Sequence, residues 1–167
     1  MKKLSIICMT ILAVISMASC RGPKGNVASS TVTVHSRDWE WVNNCQWMVE
    51  IDYPAINDNV YNHGVVLVYM DVDGAWSQVP LTYYYSDIMT NENGEQIDII
   101  CEASIEALTL SDGGVRLFWT ESDFYDGCRP SDHDFKIVAI EANAFSHRSD
   151  VDYSNYEAVK TAFQLAD

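Results

Sequence analysis

Side chains able to do acid–base or nucleophilic chemistry lie closest together between Ser122 and Asp134. This segment contains Asp123, Asp126, Cys128, Asp132, His133 and Asp134. A cysteine nucleophile needs a stabilised thiolate beside a positive group, and the acidic neighbours of Cys128 disfavour one. The chain also lacks the G-x-S-x-G and H-E-x-x-H motifs and a phosphate-binding glycine loop. We therefore assign no catalytic residue, expect no enzyme, and interpret the segment as a solvated acidic loop.

A calcium site has a weaker basis at Asp71-Val72-Asp73-Gly74. These residues match the start of a calcium-binding loop, but the twelfth position is Thr82 and not the required Glu. Asp73-Gly74 is also a typical two-residue hairpin turn, since both turn positions need positive φ. We predict the hairpin, with no metal and no cofactor. A calcium site assembled from separate loops remains open, for example from Asn57, Asp58, Asp123 and Asp126.

Aromatic residues supply the other candidate binding chemistry, because the chain has five Trp and nine Tyr. Exposed Trp and Tyr faces stack on flat apolar faces such as sugar rings, and they anchor protein interfaces. Trp47 and Trp119 lie inside strand-like segments and are expected in the core. Trp39, Trp41 and Trp76 have polar neighbours, so we expect partial exposure and name them as candidate contacts to a glycan or an envelope protein. Packing without a ligand is the alternative for each.

Strand-like segments must position these residues. Residues 45–53 and 97–105 alternate apolar and polar side chains, which buries one face of a strand. Residues 64–72 form a nearly continuous apolar run that is typical of a strand buried on both faces. About eight such segments, joined by short turns, predict an all-β fold, an antiparallel β-sandwich. The segments are 30–36, 45–53, 64–72, 75–81, 81–89, 96–108, 115–121 and 135–141.

The C-terminal tail is the one part of the chain that we predict to be helical. Ser154 and Glu157 have the spacing of a capping box, in which each side chain bonds a backbone N–H of the first turn. Tyr156, Val159 and Phe163 then recur on one face of the helix. We expect this apolar stripe to close an open end of the sandwich.

The first twenty residues predict where the protein is located. Lys2 and Lys3 precede an apolar stretch from Leu4 to Ser16, which is too short to span a bilayer and is typical of a secretory signal. The ending Met17-Ala18-Ser19-Cys20 resembles a lipobox, in which cleavage precedes a diacylated cysteine. We therefore predict a signal peptide at 1–19, a lipidated Cys20 with a flexible tether at 20–29, and a β-sandwich domain with its helix at 30–167. The expected location is the cell envelope, at the outer membrane, with the membrane face undecided.

Charge and cysteine content narrow the choice of partners. Loss of residues 1–19 removes two of ten basic residues and none of the 24 acids, leaving a formal charge of −16. Such a charge argues against nucleic acid and against an anionic membrane surface, so that Cys20 is the expected membrane contact. Cys45, Cys101 and Cys128 allow one disulfide or none, and lack the spacing of a zinc site.

The order of these features resembles a group of uncharacterised Bacteroidetes lipoproteins. The resemblance is carried by the lipobox cysteine, the Gly22-Pro23-Lys24-Gly25 stub, "SSTVTVHSRDWEW", "VVLVYMDVDGAWSQVPLTYYY", "FKIVAIEANA" and "DVDYSNYEAVKTAF". It covers most of the chain from Cys20 to Leu165. It implies an envelope location and a β-sandwich, and it implies no activity. We therefore expect a non-enzymatic envelope component, binding or structural, with a carbohydrate-binding module using exposed Trp/Tyr as the alternative and an envelope hydrolase as the less favoured one.

Overall fold

The computed structural model describes residues 26–122, 129–146 and 148–166. Two antiparallel sheets make a β-sandwich, as predicted, with nine strands in the described part. The first sheet has the order β1-β9-β4-β5 and the second has the order β2-β3-β8-β7-β6. The strands are β1 (Val27–Val34), β2 (Glu40–Val42), β3 (Gln46–Asp52), β4 (Val65–Val72), β5 (Ala75–Gln78), β6 (Leu81–Thr90), β7 (Gln96–Leu110), β8 (Gly114–Glu121) and β9 (His133–Ile140).

The amino-terminal strand begins earlier than predicted. β1 starts at Val27, inside the stretch assigned to the tether, and pairs with β9 from Val27↔Ile140 onward. Val27 is buried beneath the C-terminal helix, so its apolar side chain extends the strand. The predicted signal peptide, Cys20 and residues 21–25 lie outside the described residues.

The core lies between the sheets and uses the side chains that alternate inward. Val49 and Ile51 of β3, Ile105 of β7 and Leu117 of β8 are buried there. The run 64–72 is buried on both faces, as predicted. Val68 and Met70 of β4 face the second sheet, whereas Leu67 and Tyr69 face a separate cluster outside the first sheet.

The C-terminal helix α3 (Tyr156–Phe163) builds that outer cluster. Its predicted stripe of Tyr156, Val159 and Phe163 is buried, but it covers the outer face of the first sheet and does not close an end of the sandwich. The predicted capping residue is also wrong. Asn155 Oδ1 accepts the N–H of Ala158 at 3.2 Å, whereas the Ser154 hydroxyl donates to Asp152.

Two short helices were missed by the sequence analysis, α1 (Asp58–His63) and α2 (Ala142–Phe145). Each is a single turn or slightly more, too short for a repeating apolar stripe to be recognised. No helix among the described residues is long and apolar enough to cross a membrane.

Strands β6 and β7 extend beyond the sandwich as a two-stranded projection, residues 86–100, which we call the arm. β7 pairs with β8 only from Ala103 onward, while its earlier residues pair with β6. The alternation predicted for β7 is therefore correct, but its inward face meets the opposite sheet only near Ala103 and Ile105. Cys101 belongs to this inward face, which predicts burial, but it is half-buried at the base of the arm.

The sheet order excludes one of the possible disulfides. Cys45 lies in the β2–β3 turn, and β8 separates β3 from β7, which carries Cys101. Two strand spacings amount to about 10 Å, whereas a disulfide needs Cα atoms within about 7 Å. Cys45 and Cys101 therefore cannot pair. Cys128 lies outside the described residues.

Candidate functional site: a tyrosine-lined cleft

A cleft of about 560 Å³ opens between the two sheets at the end where β9 begins. The second sheet contributes consecutive residues of β6 and Trp119 of β8. The first sheet contributes His133 of β9 and the β4–β5 turn. The described lining residues are Asp73, Tyr83, Tyr84, Tyr85, Ser86, Asp87, Trp119, Arg129, Pro130, Ser131 and His133.

Tyr83 and Tyr85 form one aromatic wall. They are two residues apart in β6, so both side chains point to the same face of the strand. Their rings are nearly parallel, with an interplanar angle of 15° and centroids 5.8 Å apart. Both are half-buried. The wall thus presents aromatic surface that is partly open to solvent.

Trp119 and His133 form the floor of the cleft. Their rings stack with centroids 5.0 Å apart, and the Tyr83 ring meets both edge-on. Trp119 is 1% exposed and rests on Trp39, whose ring lies 6.2 Å away. Because the floor is packed into the core, the aromatic surface is held rigidly before any ligand arrives.

The buried carboxylate of Glu121 connects the wall to the floor. Its Oε1 accepts the indole N–H of Trp119 at 2.5 Å and the hydroxyl of Tyr85 at 2.8 Å. Glu121 is 3% exposed, and a charged acceptor in such surroundings needs donors to offset its lost hydration. This carboxylate therefore fixes the orientation of two of the cleft's aromatic rings.

His133 is positioned by its chain neighbours. Asp132 accepts the Ser36 backbone N–H at 2.7 Å and contacts the His35 ring at 2.8 Å, and these bonds hold the Asp132 pKa below its ordinary value. The Ser131 hydroxyl lies 3.2 Å from Nε2 of His133. Burial lowers the pKa of His133, while Asp132 and Asp134 act in the opposite direction. The net effect favours the neutral imidazole.

The rim of the cleft is polar and carries both signs of charge. Asp73, Ser86 and Ser131 are exposed there, and Asp87 is half-buried. The Arg129 guanidinium also lines the cleft, with Cζ 4.9 Å from the centroid of the Trp47 ring. Donors and acceptors thus surround an aromatic interior, as in sites that orient a small polar ligand.

The three tryptophans proposed from the sequence do not line this cleft. The expectation that Trp39 is partly exposed is wrong. It is 1% exposed, because the 3-10 turn Ser36–Asp38 directs its ring between the sheets, onto Trp119 and Phe135. Polar neighbours in the sequence did not reveal this inward direction.

Trp41 and Trp76 are partly exposed, as expected, but they lie elsewhere. Trp41 packs against Trp47, with centroids 5.2 Å apart. Trp76 belongs to the outer cluster, where the Lys136 ammonium lies 4.5 Å from its ring centroid and Tyr156 meets it edge-on. Their role in ligand binding stays a prediction.

The tyrosines of β6 were not among the predicted site residues, although the sequence contains a signal for them. Tyr83-Tyr84-Tyr85 was assigned to a strand, and strand periodicity places the first and third rings on one face. Glu121 was also missed, because nothing in the sequence marks a carboxylate at a strand end as buried.

Part of the predicted acidic loop is ordered strand. β9 begins at His133, and Thr33 Oγ1 donates to Asp134 at 2.5 Å, so the solvated-loop interpretation is wrong for these residues. Asp123, Asp126 and Cys128 lie outside the described residues.

The hairpin predicted at Asp73-Gly74 is confirmed, with φ values of 53° and 83°. Asp71 accepts the Gly74 N–H within this turn at 2.8 Å. The part of the chain that the structure describes has no group of three His, Cys, Asp or Glu side chains arranged to hold a metal ion.

No protein-family model, no curated protein sequence and no solved structure matches the chain.

Proposed function

We propose that this protein is a bacterial envelope lipoprotein, anchored through Cys20 to the outer membrane, that binds a saccharide in the tyrosine-lined cleft without converting it. The observation that carries the proposal is the cleft itself. It combines a parallel pair of tyrosine rings, a stacked Trp119–His133 floor and a polar rim in a volume of about 560 Å³. Ligand-binding clefts of proteins have roughly 300–1,000 Å³.

Saccharides suit this combination of surfaces. A sugar ring has an apolar face of C–H groups and a periphery of hydroxyl groups. The faces of Tyr83 and Tyr85 can pack against the C–H face of the sugar, and the rim side chains can form hydrogen bonds with its hydroxyl groups. Asp73 and Asp87 accept hydrogen bonds and Arg129 donates them. A sugar hydroxyl can therefore find a partner both as a donor and as an acceptor.

The carboxylate nearest the aromatic rings supports binding and not catalysis. A general acid or base must exchange protons with the substrate. Oε1 of Glu121 instead accepts from Trp119 and Tyr85, which commits this oxygen to positioning the rings. We accordingly propose that the ligand leaves unchanged.

The proposal is tested by calorimetric titration of the purified full chain with a panel of soluble oligosaccharides, including peptidoglycan fragments. Tyr83→Ala and Tyr85→Ala should each weaken the tightest interaction by about tenfold or more, since a desolvated aromatic contact contributes more than about 1 kcal/mol.

Tyr61→Ala is the matched control, because Tyr61 is 45% exposed on α1 and does not line the cleft. A loss of affinity in the control equal to that of the cleft variants would contradict the proposal, as would release of new reducing ends during the titration.

A further inference from the structure

The arm formed by residues 86–100 carries an open sheet edge. β6 ends the order of the second sheet, and the described residues place no strand beyond it. Its outer N–H and C=O groups therefore form a row that another chain can pair with, interrupted at Ile88, whose N–H donates to Asp87 Oδ1 at 2.7 Å. Natural edge strands are often protected by Lys or Pro, and β6 has neither in its sequence LTYYYSDIMT.

Apolar side chains are exposed on the same projection. Ile100 is 79% exposed and Ile88 is 59% exposed. Ser86 pairs with Ile100 and Ile88 pairs with Asp98, so the two isoleucines are diagonal neighbours on one face. Such neighbours lie about 7–8 Å apart. With Tyr84 at the base of the arm, they form a continuous apolar stripe.

Carboxylates border this stripe. Asp98 lies opposite Ile88, and Glu102 lies opposite Tyr84, on the same face. Glu92 and Glu95 follow at the tip. The sequence has no Lys or Arg from Leu81 to Val115. The surface is thus apolar along its centre and negative along its border.

The negative charge of this surface determines which kind of partner it can bind. A second copy of the chain would place these carboxylates against their own counterparts, and like charges brought together across an interface cost several kcal/mol. An oppositely charged strand would gain attraction at each of the same positions. The surface therefore fits a basic partner and repels its own copy.

We propose that the open edge of β6 and the outer face of the arm bind an extended segment of a partner protein in which every second residue faces the arm, and these facing residues alternate between apolar and Lys or Arg. The segment adds a strand to the sheet, so that backbone hydrogen bonds hold it in register. Its apolar side chains cover Ile88 and Ile100, and its cationic side chains pair with Asp98 and Glu102. Tyr83 and Tyr85 point to the opposite face of β6, so this surface lies mainly on the other side of the strand and meets the saccharide cleft at Tyr84 and Ser86, which line both.

The test uses fluorescent ten-residue peptides and the full chain. In the probe, every second residue is alternately Lys or Val and the intervening residues are Thr, so that Lys and Val share one face of the strand. In the matched peptides, Glu replaces each Lys or Pro replaces the two valines. Fluorescence anisotropy should show saturable binding of the Lys–Val peptide. Both matched peptides should bind at least tenfold more weakly, and binding of the probe should weaken when salt is raised from 50 to 500 mM.

Two variants of the arm separate apolar contact from charge. Ile88→Ser with Ile100→Ser should weaken binding of the probe at least tenfold while the fold persists, because both side chains are already exposed. Glu95→Lys, Asp98→Lys and Glu102→Lys together should weaken it about tenfold, as expected for three exposed ion pairs of roughly 0.5 kcal/mol each. The charge-matched control is Glu40→Lys, Asp52→Lys and Asp150→Lys, which are exposed positions outside the arm.

The proposal is overturned by any of four results. In the first two, the Lys–Val peptide fails to bind, or the Glu–Val or Pro peptides bind as tightly as the Lys–Val peptide. In the other two, the arm variants keep the native affinity for the Lys–Val peptide, or the charge-matched control loses as much affinity as the arm variants. Sedimentation that shows dimers lost in the Ile88/Ile100 variant would also overturn it, since the occupant would then be a second copy.

Discussion

Replacing Glu121 by Leu tests how the cleft is held in shape. The variant removes the oxygen that accepts from the buried Trp119 indole and from the hydroxyl of the half-buried Tyr85. A buried donor left unpaired costs about 1–3 kcal/mol, whereas water reaches a half-buried hydroxyl. The Trp119 donor therefore predicts a loss of about 1–3 kcal/mol in the free energy of unfolding.

An ion pair between β3 and β8 supplies a control. Glu50 of β3 accepts from Arg116 of β8, but its side chain is 49% exposed. Water can replace the lost bonds there, so Glu50→Leu should cost only about 0–1 kcal/mol. The contrast between the two variants isolates burial, because both remove a carboxylate that accepts two donor groups.

Urea unfolding at pH 7, followed by tryptophan fluorescence, measures both losses. Glu121→Gln should lie between the native chain and Glu121→Leu, since an amide oxygen can still accept both bonds. Tyr85→Phe should cost less in the Glu121→Leu background than in the native chain, because the two groups share one bond. If Glu121→Leu cost no more than Glu50→Leu, the reasoning about the buried carboxylate would be refuted.

Three further predictions concern the helix, the histidine and the anchor. Phe163→Ala should lower the free energy of unfolding by about 3–5 kcal/mol in calorimetry, because the ring is buried against the first sheet. Phe145→Ala removes a more exposed ring and should cost less. Equal melting temperatures for Phe163→Ala and the native chain would mean that α3 does not pack on the sheet. The pKa of His133 is lowered on folding, so the unfolded chain binds more protons than the native chain below about pH 6.5, and stability should fall as the pH drops from there through the lowered pKa. His133→Gln should remove this part of the pH dependence of stability. An unchanged pH dependence in that variant would contradict the lowered pKa of His133. Cys20→Ala should abolish labelling by a fatty-acid probe in cells, and equal labelling of variant and native chain would end the lipoprotein proposal.

The sandwich was predictable because strand periodicity and turn residues act locally. The alternation in β3 and β7 and the Asp73-Gly74 turn each determine which way neighbouring side chains point, without reference to the rest of the chain. The stripe of α3 was recognisable for the same reason. What it covers was not, since that depends on which sheet face lacks other cover.

The site was largely unpredictable because it depends on contacts between distant residues. Glu121 is buried where Trp119 and Tyr85, 36 positions earlier, both donate to it. Trp39 has polar neighbours along the chain but a buried ring in the fold. Local polarity therefore indicated exposure where long-range packing produced burial, and the cleft tyrosines were assigned to an ordinary strand.

Chemical-shift mapping of the full chain, titrated with the tightest-binding saccharide, tests the central proposal most directly. The largest changes should fall on the backbone amides of Tyr83–Asp87 and on the Trp119 indole N–H, with smaller changes at Ser131 and His133. Changes concentrated at Trp41 or Trp76, or no saturable change at any of these positions, would contradict the assignment of the tyrosine-lined cleft as a saccharide site.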